Sequence, residues 1–234
     1  STAFCAGSSV SLGGSGGVTN GYTWSTGATT FTTIVTPSVT TTYTLIGTAA
    51  NTCTNSAVRT ITVNPLPTLT VTGNNVLCSG NSTTLTASGA NTYTWSAGFL
   101  VPTIGVTPLS STNYSVIGKD ANNCTNTTTY SVTVNQLPTL NVTTTNTLLC
   151  TGETSTLSVL GATSYTWSDN SNGTDIIVTP TATTNYSVIG TDANGCNNSS
   201  VFTQSVSICT GIQQVNTNSN SVLVFPNPNN GEFT

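Results

Sequence analysis

The segment from a tryptophan to a cysteine is written three times in this chain of 234 residues. The tryptophans recur at steps of 71 and 72 residues, and a tyrosine and a cysteine follow each of them after 19 and 29 residues. The positions are Trp24, Trp95 and Trp167, then Tyr43, Tyr114 and Tyr186, then Cys53, Cys124 and Cys196. Such a repeat predicts three like modules in a row, which supply length or valency more readily than one assembled active site.

The local pattern of each copy is typical of β-strands. Threonine, valine, isoleucine, tyrosine and tryptophan dominate, and clusters of glycine, asparagine and serine interrupt them as turns. In Tyr93-Thr94-Trp95, for example, the two aromatic residues fall on one strand face and the threonine falls on the other. No stretch shows a helical apolar period. We predict an all-β chain, a tandem array of small immunoglobulin-like β-sandwich modules with five to seven short strands each.

Prolines indicate where one module ends and the next begins. They stand at 64–67 and at 135–138, where they block sheet pairing across the junction and stiffen it. We therefore expect a first copy (1–64), a second copy (65–135) and a third copy (136–208). A polar linker at 209–221 and a final segment at 222–234 follow.

Each copy carries one early and one late cysteine. A module of about 70 residues has a modest core and often needs a covalent staple. Pairing within each copy is the simplest of many connectivities. It predicts one disulfide per copy, namely Cys5 with Cys53, Cys78 with Cys124 and Cys150 with Cys196. Such bonds imply an oxidising location, extracellular or at the cell surface. Cys209 is the odd cysteine. Its partner could be a cysteine in a lost segment or in another chain, or it could have no partner.

Charge is very sparse in this sequence. Eight side chains carry it, Arg59 and Lys119 are the two basic ones, and histidine is absent. Without a basic patch, nucleic acid and anionic membranes are poor partners. No apolar run reaches transmembrane length, so direct membrane insertion is not expected. No signal peptide is visible, which favours a mature form or a fragment. Arg59 stands where Tyr130 and Phe202 stand in the other copies, which suggests an exposed or capped strand position.

Catalytic and metal sites find little support. A serine or cysteine triad has no histidine, and Asp169 and Asp175, six residues apart in the third copy, fit an acidic loop in water. Calcium is the best metal hypothesis, because Asp120 and Asp192 each precede an asparagine by two residues. A turn-forming role is the simpler interpretation of both. We expect no enzyme activity, no cofactor and no metal.

The repeated aromatic residues admit two interpretations. Trp24, Trp95 and Trp167 could stack on sugars, since the surroundings are rich in threonine and asparagine. One tryptophan beside an alternating tyrosine is more often a core residue, however, and we predict a core position for all three. The repeated tyrosines Tyr43, Tyr114 and Tyr186 receive the same interpretation.

The end of the chain carries a short recognisable motif. It comprises Phe225, Pro226, Asn227, Pro228, Gly231 and Phe233. This motif resembles the opening of the C-terminal sorting domain on type IX secretion cargo of Bacteroidetes. The repeats look like the tandem immunoglobulin-like or PKD-like modules of gliding, adhesion and surface proteins in that phylum. The resemblance implies export by the type IX machinery, then surface attachment or release, although only the start of the sorting domain is present.

These observations favour a non-enzymatic structural or adhesive repeat protein, a stalk, an adhesin or a filament component outside the cell. Expected partners are other copies of itself, surface proteins or glycans, and the secretion machinery. A terminal strand at 222–225 could add to the sheet edge of a neighbour. Two alternatives stay open: carbohydrate-binding modules, and the spacer tail of a secreted enzyme.

Overall fold

The computed structural model describes residues 3–16 and 21–209, in which all regular secondary structure is β-strand. The first copy contains β1 Phe4–Cys5, β2 Val10–Gly13, β3 Tyr22–Trp24, β4 Thr32–Val35, β5 Thr41–Thr48, β6 Thr54–Ile61 and β7 Val63–Asn64. The second copy contains β8 Thr70–Thr72, β9 Val76–Cys78, β10 Thr83–Ser88, β11 Thr92–Trp95, β12 Thr103–Val106, β13 Thr112–Lys119 and β14 Thr125–Asn135. The third copy contains β15 Asn141–Thr144, β16 Leu148–Cys150, β17 Ser155–Leu160, β18 Ser164–Trp167, β19 Asp175–Val178, β20 Thr184–Thr191 and β21 Asn197–Ser207.

The second and third copies each consist of two sheets. In the second copy the strand orders are β11-β13-β14-β9 and β12-β10-β8, and in the third they are β16-β21-β20-β18 and β15-β17-β19. The first copy has β3-β5-β6, β2-β4 and β1-β7. Neighbouring strands are antiparallel, except that the strand with the early cysteine pairs parallel with the last strand of its copy.

The sheets of each copy enclose a hydrophobic cluster of their own. In the second copy Trp95, Leu85 and Val116 lie at its centre, almost fully buried. The first and third copies place Trp24 and Trp167 at the equivalent positions. Alternation along the strands produces this arrangement, because every second side chain faces the opposite sheet. The chain is a tandem array of immunoglobulin-like β-sandwiches, as the pattern of strands and turns predicts.

The chain divides into two compact units between Gln136 and Leu137. The first and second copies lie together in the first unit, and the third copy lies in the second unit. The strand with the early cysteine ends beside the last residue of its copy, with Cys5 opposite Asn64 and Cys78 opposite Asn135. The early cysteine is therefore at the exit of its module.

Candidate functional site

The disulfides join different partners from those predicted. Cys5 of the first copy is bonded to Cys124 of the second, with their Cα atoms 5.4 Å apart and 119 residues between them in sequence. The predicted pairs Cys5 with Cys53 and Cys78 with Cys124 are therefore wrong. This bond is a covalent link between two successive modules.

The geometry of the last strand explains the error. Cys124 lies just before β14, and Cys78 is paired with Asn135 at the other end of this strand. Eleven residues of extended strand separate the two ends by about 36 Å. A disulfide requires Cα atoms within about 7 Å, so the two cysteines of one copy cannot meet.

In the third copy the early cysteine also lies at the end of the last strand. Cys150 is opposite Ser207 in the parallel pairing of β16 with β21, and it is bonded to Cys209, two residues further on. The predicted bond from Cys150 to Cys196 is therefore wrong, and Cys209 has a partner within the chain. Cys78 and Cys196 are also disulfide-bonded. Cys53, which we expected in a disulfide, is free and exposed.

The proline junctions fold back onto the module that they enter. In the second copy the Pro67 carbonyl accepts a hydrogen bond of 3.0 Å from Asn126 Nδ2, and Leu69 packs over Gly118 and Ala90. Gly118 leaves room for this leucine, since a Cβ atom there would collide with the Leu69 side chain. The junction is thus part of the sandwich.

The third copy repeats this arrangement with equivalent residues. The Pro138 carbonyl accepts a hydrogen bond of 3.0 Å from Asn198 Nδ2, and Leu140 packs over Gly190 and Ala162. Two independent copies therefore seat a Pro-x-Leu segment in the same groove. Sequence reasoning recognised these prolines as boundaries and missed that the leucine two residues later is an anchor.

The late hairpin turns account for the acidic residues of the calcium hypothesis. Asp120 Oδ1 accepts hydrogen bonds from the backbone N–H groups of Asn122 and Cys124, at 2.9 and 2.8 Å. Asp192 makes the same two bonds to Asn194 and Cys196. These carboxylates fix the turn that presents the cysteine, which is the turn-forming role. Within the described residues no group of three or more metal-ligating acidic, cysteine or histidine side chains occurs.

The repeated tryptophans are inside the sandwiches. Trp24, Trp95 and Trp167 are 4%, 2% and 2% exposed, and each indole N–H donates to a backbone carbonyl of the following loop. Tyr43 and Tyr114 are buried as well, and Tyr186 packs half-buried against the third core. A ring in such a position has no free face for a sugar.

Asp169 and Asp175 lie in exposed positions and make local hydrogen bonds. The Ser171 hydroxyl and backbone N–H hold the pKa of Asp169 below its usual value. The hydroxyls of Ser158 and Thr174 lower the pKa of Asp175 in the same way. Burial, with a smaller contribution from the Asp169 charge, raises the pKa of Tyr186. These hydrogen bonds stabilise Asp169 and Asp175 in the charged form.

Several predicted features lie outside the described residues. They are the sorting motif at Phe225, Pro226, Asn227, Pro228, Gly231 and Phe233, the linker beyond Cys209, and the strand at 222–225. The part of the chain that the structure describes holds no helix of the length and apolarity needed to cross a membrane.

No protein-family model matches the chain, and neither does any curated protein. Among solved structures, it is similar to an eight-domain immunoglobulin fragment of Down Syndrome Cell Adhesion Molecule, at 12% identity and a TM-score of 0.39. That alignment covers 88% of this chain and 36% of the other. Three immunoglobulin domains of titin align at 11% identity and a TM-score of 0.36, over 87% of this chain and 94% of that one.

A bacterial protein also appears among the similar structures. It is a calcium-stabilised adhesin that helps an Antarctic bacterium bind ice, at 16% identity and a TM-score of 0.32 over 87% of this chain and 70% of that one. The likeness in every case is one of general architecture. The assignment to tandem sandwiches rests on the strand pairing and the separate cores described above.

Proposed function

We propose that this chain is a non-enzymatic structural and adhesive repeat protein that acts outside the cell, where its modules hold distance and carry tension. The observation that carries the proposal is the bond between Cys5 and Cys124, which links the exit of the first copy to a turn of the second. A load that enters near Cys5 can pass through this bond. The 119 residues between the two cysteines are then shielded from stretching.

The second closed loop acts in the same direction. Cys150 and Cys209 enclose 59 residues of the third copy, so tension also bypasses most of that sandwich. A chain whose cores are shielded in this way stays folded under a load that would unravel an uncrosslinked module. Disulfides persist in oxidising surroundings, which supports a location outside the cytoplasm.

Single-molecule force spectroscopy on the whole chain, held by its two ends, tests the mechanical role. In the oxidised protein the loops of 119 and 59 residues stay closed at high force. Reduction should lengthen the fully stretched chain by about 64 nm, at about 3.6 Å per residue. The variant Cys5→Ser should give a longer oxidised chain than the unmodified protein. Equal lengths before and after reduction would contradict the proposal.

We also propose export by a type IX pathway, on the resemblance of residues 225–233 to the start of its sorting domain. A reporter protein fused to residues 209–234 tests the signal. We expect the reporter in the medium or on the surface of a host with an intact pathway, and inside the cell when the pathway is deleted. Retention in both hosts would remove this part of the proposal.

The module boundaries complete the proposal: 1–64, 65–135 and 136–208 as sandwiches, 209–221 as a linker and 222–234 as the start of the sorting domain. Other copies of the chain, surface proteins or glycans are the partners that an adhesive role implies. Purified protein on arrays of glycans and on intact cells measures which of these it binds.

A further inference from the structure

The second and third copies end in hairpins that are closely alike. The late hairpin of the second copy is β13 with β14 at 112–135, and that of the third is β20 with β21 at 184–207. Their first strands, Thr112–Lys119 and Thr184–Thr191, are identical except at the last residue. Both turns carry the same aspartate hydrogen bonds, and both second strands hold the incoming proline carbonyl through an asparagine. These shared features do not distinguish one copy from the other.

One buried position on the second strand of the hairpin does differ. Gln204 of β21 is fully buried, at the position that Val132 occupies in β14. The amide nitrogen of Gln204 donates to the Asn146 carbonyl at 3.0 Å and to the Ser205 carbonyl at 3.3 Å. Its amide oxygen accepts from the Thr144 hydroxyl at 3.1 Å. A glutamine is tolerated in this core because its amide is fully hydrogen-bonded there.

Gln204 belongs to a polar cluster that joins the two sheets of the third copy. Thr144 ends β15 and Ser155 begins β17, both in the sheet opposite Gln204. The Ser155 hydroxyl lies 2.8 Å from the Thr144 hydroxyl and 3.0 Å from that of Thr145. It also accepts from the Asn146 backbone N–H at 3.3 Å. In the part of the chain that the structure describes, no buried side-chain nitrogen or oxygen atom lacks a hydrogen bond, so the cluster is complete.

The second copy has a different arrangement at the same level. Gly73 stands at the position of Thr144, and a Cβ atom on it would lie 2.7 Å from the Leu85 side chain. The Gly73 carbonyl accepts from the Tyr130 hydroxyl, for which β21 has no equivalent because Phe202 stands there. We call this level the matching layer. It is formed by positions 73 and 132 in the second copy and by positions 144 and 204 in the third.

Exchange of the two hairpins would leave buried polar groups without partners. In the second copy, Gln204 would face Gly73, which has no side chain to donate to its amide oxygen. The Gly73 carbonyl would also lose the hydroxyl that β14 supplies. In the third copy, Val132 would leave the Asn146 carbonyl without its donor. Each change is unfavourable, because a buried polar group without a hydrogen bond keeps its full cost of desolvation.

We propose that the matching layer determines folding specificity, because it directs each late hairpin into its own copy and opposes exchange between the second and third copies, within one chain or between two. Arrays of similar modules are prone to such misassembly. A buried polar contact suits this role, since it penalises the wrong partner more than it stabilises the right one. Gln204 and Thr144 are its polar members. The inference does not depend on the mechanical role proposed above.

The disulfide map reports an exchange directly. Cys124 and Cys196 lie in the turns of the two late hairpins, and Cys5 is bonded to Cys124 in the native chain. If the third hairpin occupies the second copy, Cys196 takes the place of Cys124 beside Cys5. A protease that cuts after aromatic residues separates the two late cysteines, because Tyr130 and Trp167 lie between them. A peptide that joins Cys5 to Cys196 therefore identifies the exchanged form by its mass.

Oxidative refolding of the full chain tests the proposal. Reduced, unfolded protein is returned to a buffer with reduced and oxidised glutathione, and the native and exchanged peptides are quantified. The test variant gives the third copy the layer of the second, through Thr144→Gly with Gln204→Val. We expect the ratio of exchanged to native peptide to rise about tenfold or more, because the penalty of an unpaired amide is removed. An unchanged ratio would overturn the proposal.

A matched control separates matching from stability. Val159 is fully buried on β17, and Val159→Ala weakens the third core while the matching layer stays intact. This variant should have a lower melting temperature and the same ratio of exchanged to native peptide as the unmodified chain. A rise as large as that of the test variant would mean that lost stability alone causes exchange, and the proposal would fail.

The reciprocal change decides the question if the test variant does not refold. Val132→Gln puts a glutamine in both hairpins, so that both fit the third copy. The melting temperature of the second copy should fall, because the new amide faces Gly73, and the exchanged peptide should become more abundant by about tenfold or more. A second copy as stable as before, or an exchanged peptide as rare as in the unmodified chain, would refute the role of the layer.

Discussion

The late hairpin turns show how one backbone angle limits the choice of residue. The residue before the late cysteine has a positive φ in every copy, 64° at Thr52, 64° at Asn123 and 79° at Gly195. Asparagine and glycine tolerate this left-handed conformation, whereas a β-branched threonine is strained there. The sequence correctly predicts these turns from their asparagine and glycine content, and Thr52 is the member that departs from the pattern.

Replacing Thr52 with asparagine should therefore stabilise the first copy by about 0.5–1 kcal/mol. Hydrogen exchange of the Ala49 and Cys53 amides, compared with denaturant unfolding, measures the change. The reverse substitution Asn123→Thr is the matched control and should destabilise the second copy by a similar amount. A stabilisation by both changes, or by neither, would show that the backbone angle does not govern this turn.

Asp175 makes the stability of the third copy depend on pH in the acidic range. Hydrogen bonds from Ser158 and Thr174 hold its folded-state pKa below the ordinary value of 3.8. Its stabilising contribution is therefore complete above that pH and is lost as the pH falls through the folded pKa. Asp175→Asn should flatten the decrease of melting temperature between about pH 4 and pH 2. A decrease as steep as that of the unmodified protein would exclude Asp175 as its source.

At the scale of secondary-structure elements, the junction that enters the third copy packs closely against Gly190. A Cβ atom on Gly190 would lie 2.9 Å from the Ala162 Cβ and closer still to Leu140. Gly190→Ala should therefore destabilise the third copy by about 1–3 kcal/mol, because the new methyl group displaces the Leu140 side chain from its packed position. Differential scanning calorimetry measures the loss.

Gly105→Ala is the control for this prediction. Gly105 also lies in a strand, and a Cβ atom there meets no heavy atom within 4 Å. We expect a change within about 0.5 kcal/mol, of either sign. In the double variant Leu140→Ala with Gly190→Ala, the second substitution should cost much less than it does alone. If the two losses of unfolding free energy simply add, Leu140 and Gly190 do not interact.

Residue composition and the alternation of aromatic residues were sufficient to predict the β-strands and the sandwich fold, because strand formation and the choice of the buried face both depend on residues close in sequence. The disulfide pattern was not predictable by the same reasoning. It depends on the parallel pairing of β9 with β14, which sets Cys78 at the exit of its module. A spacing of 46 residues between two cysteines carries no information about which end of a strand each one occupies. The anchor role of Leu69 was missed for a related reason, since its partner Gly118 is distant in sequence.

At the scale of the whole molecule, the scarcity of basic residues makes the disulfide map easy to check. Arg59 and Lys119 are the two sites for trypsin in the sequence. After unfolding and alkylation without reductant, digestion should leave fragment 1–59 attached to fragment 120–234 through Cys5 and Cys124. Fragment 60–119 should also stay attached, because Cys78, its one cysteine, is disulfide-bonded. Mass spectrometry detects the joined fragments. Release of fragment 1–59 as a free, internally bonded peptide would restore the pairing of Cys5 with Cys53 and contradict the structure.

The stability of the folded chain should change little around neutral pH, because histidine is absent and the pKa values of Asp169 and Asp175 are lowered. Reduction of the disulfides should instead lower the stability strongly. Closing a loop of 119 residues removes unfolded-state entropy equivalent to about 5 kcal/mol in the chain-entropy model.

The bond between Cys5 and Cys124 also makes the protein tolerant of damage. The proline junction at 64–67 lies inside the covalent ring that this bond closes. If the backbone is severed anywhere on that ring, the two pieces remain joined through sulfur. A single proteolytic cut in this first junction therefore leaves the chain segments on its two sides covalently attached to each other.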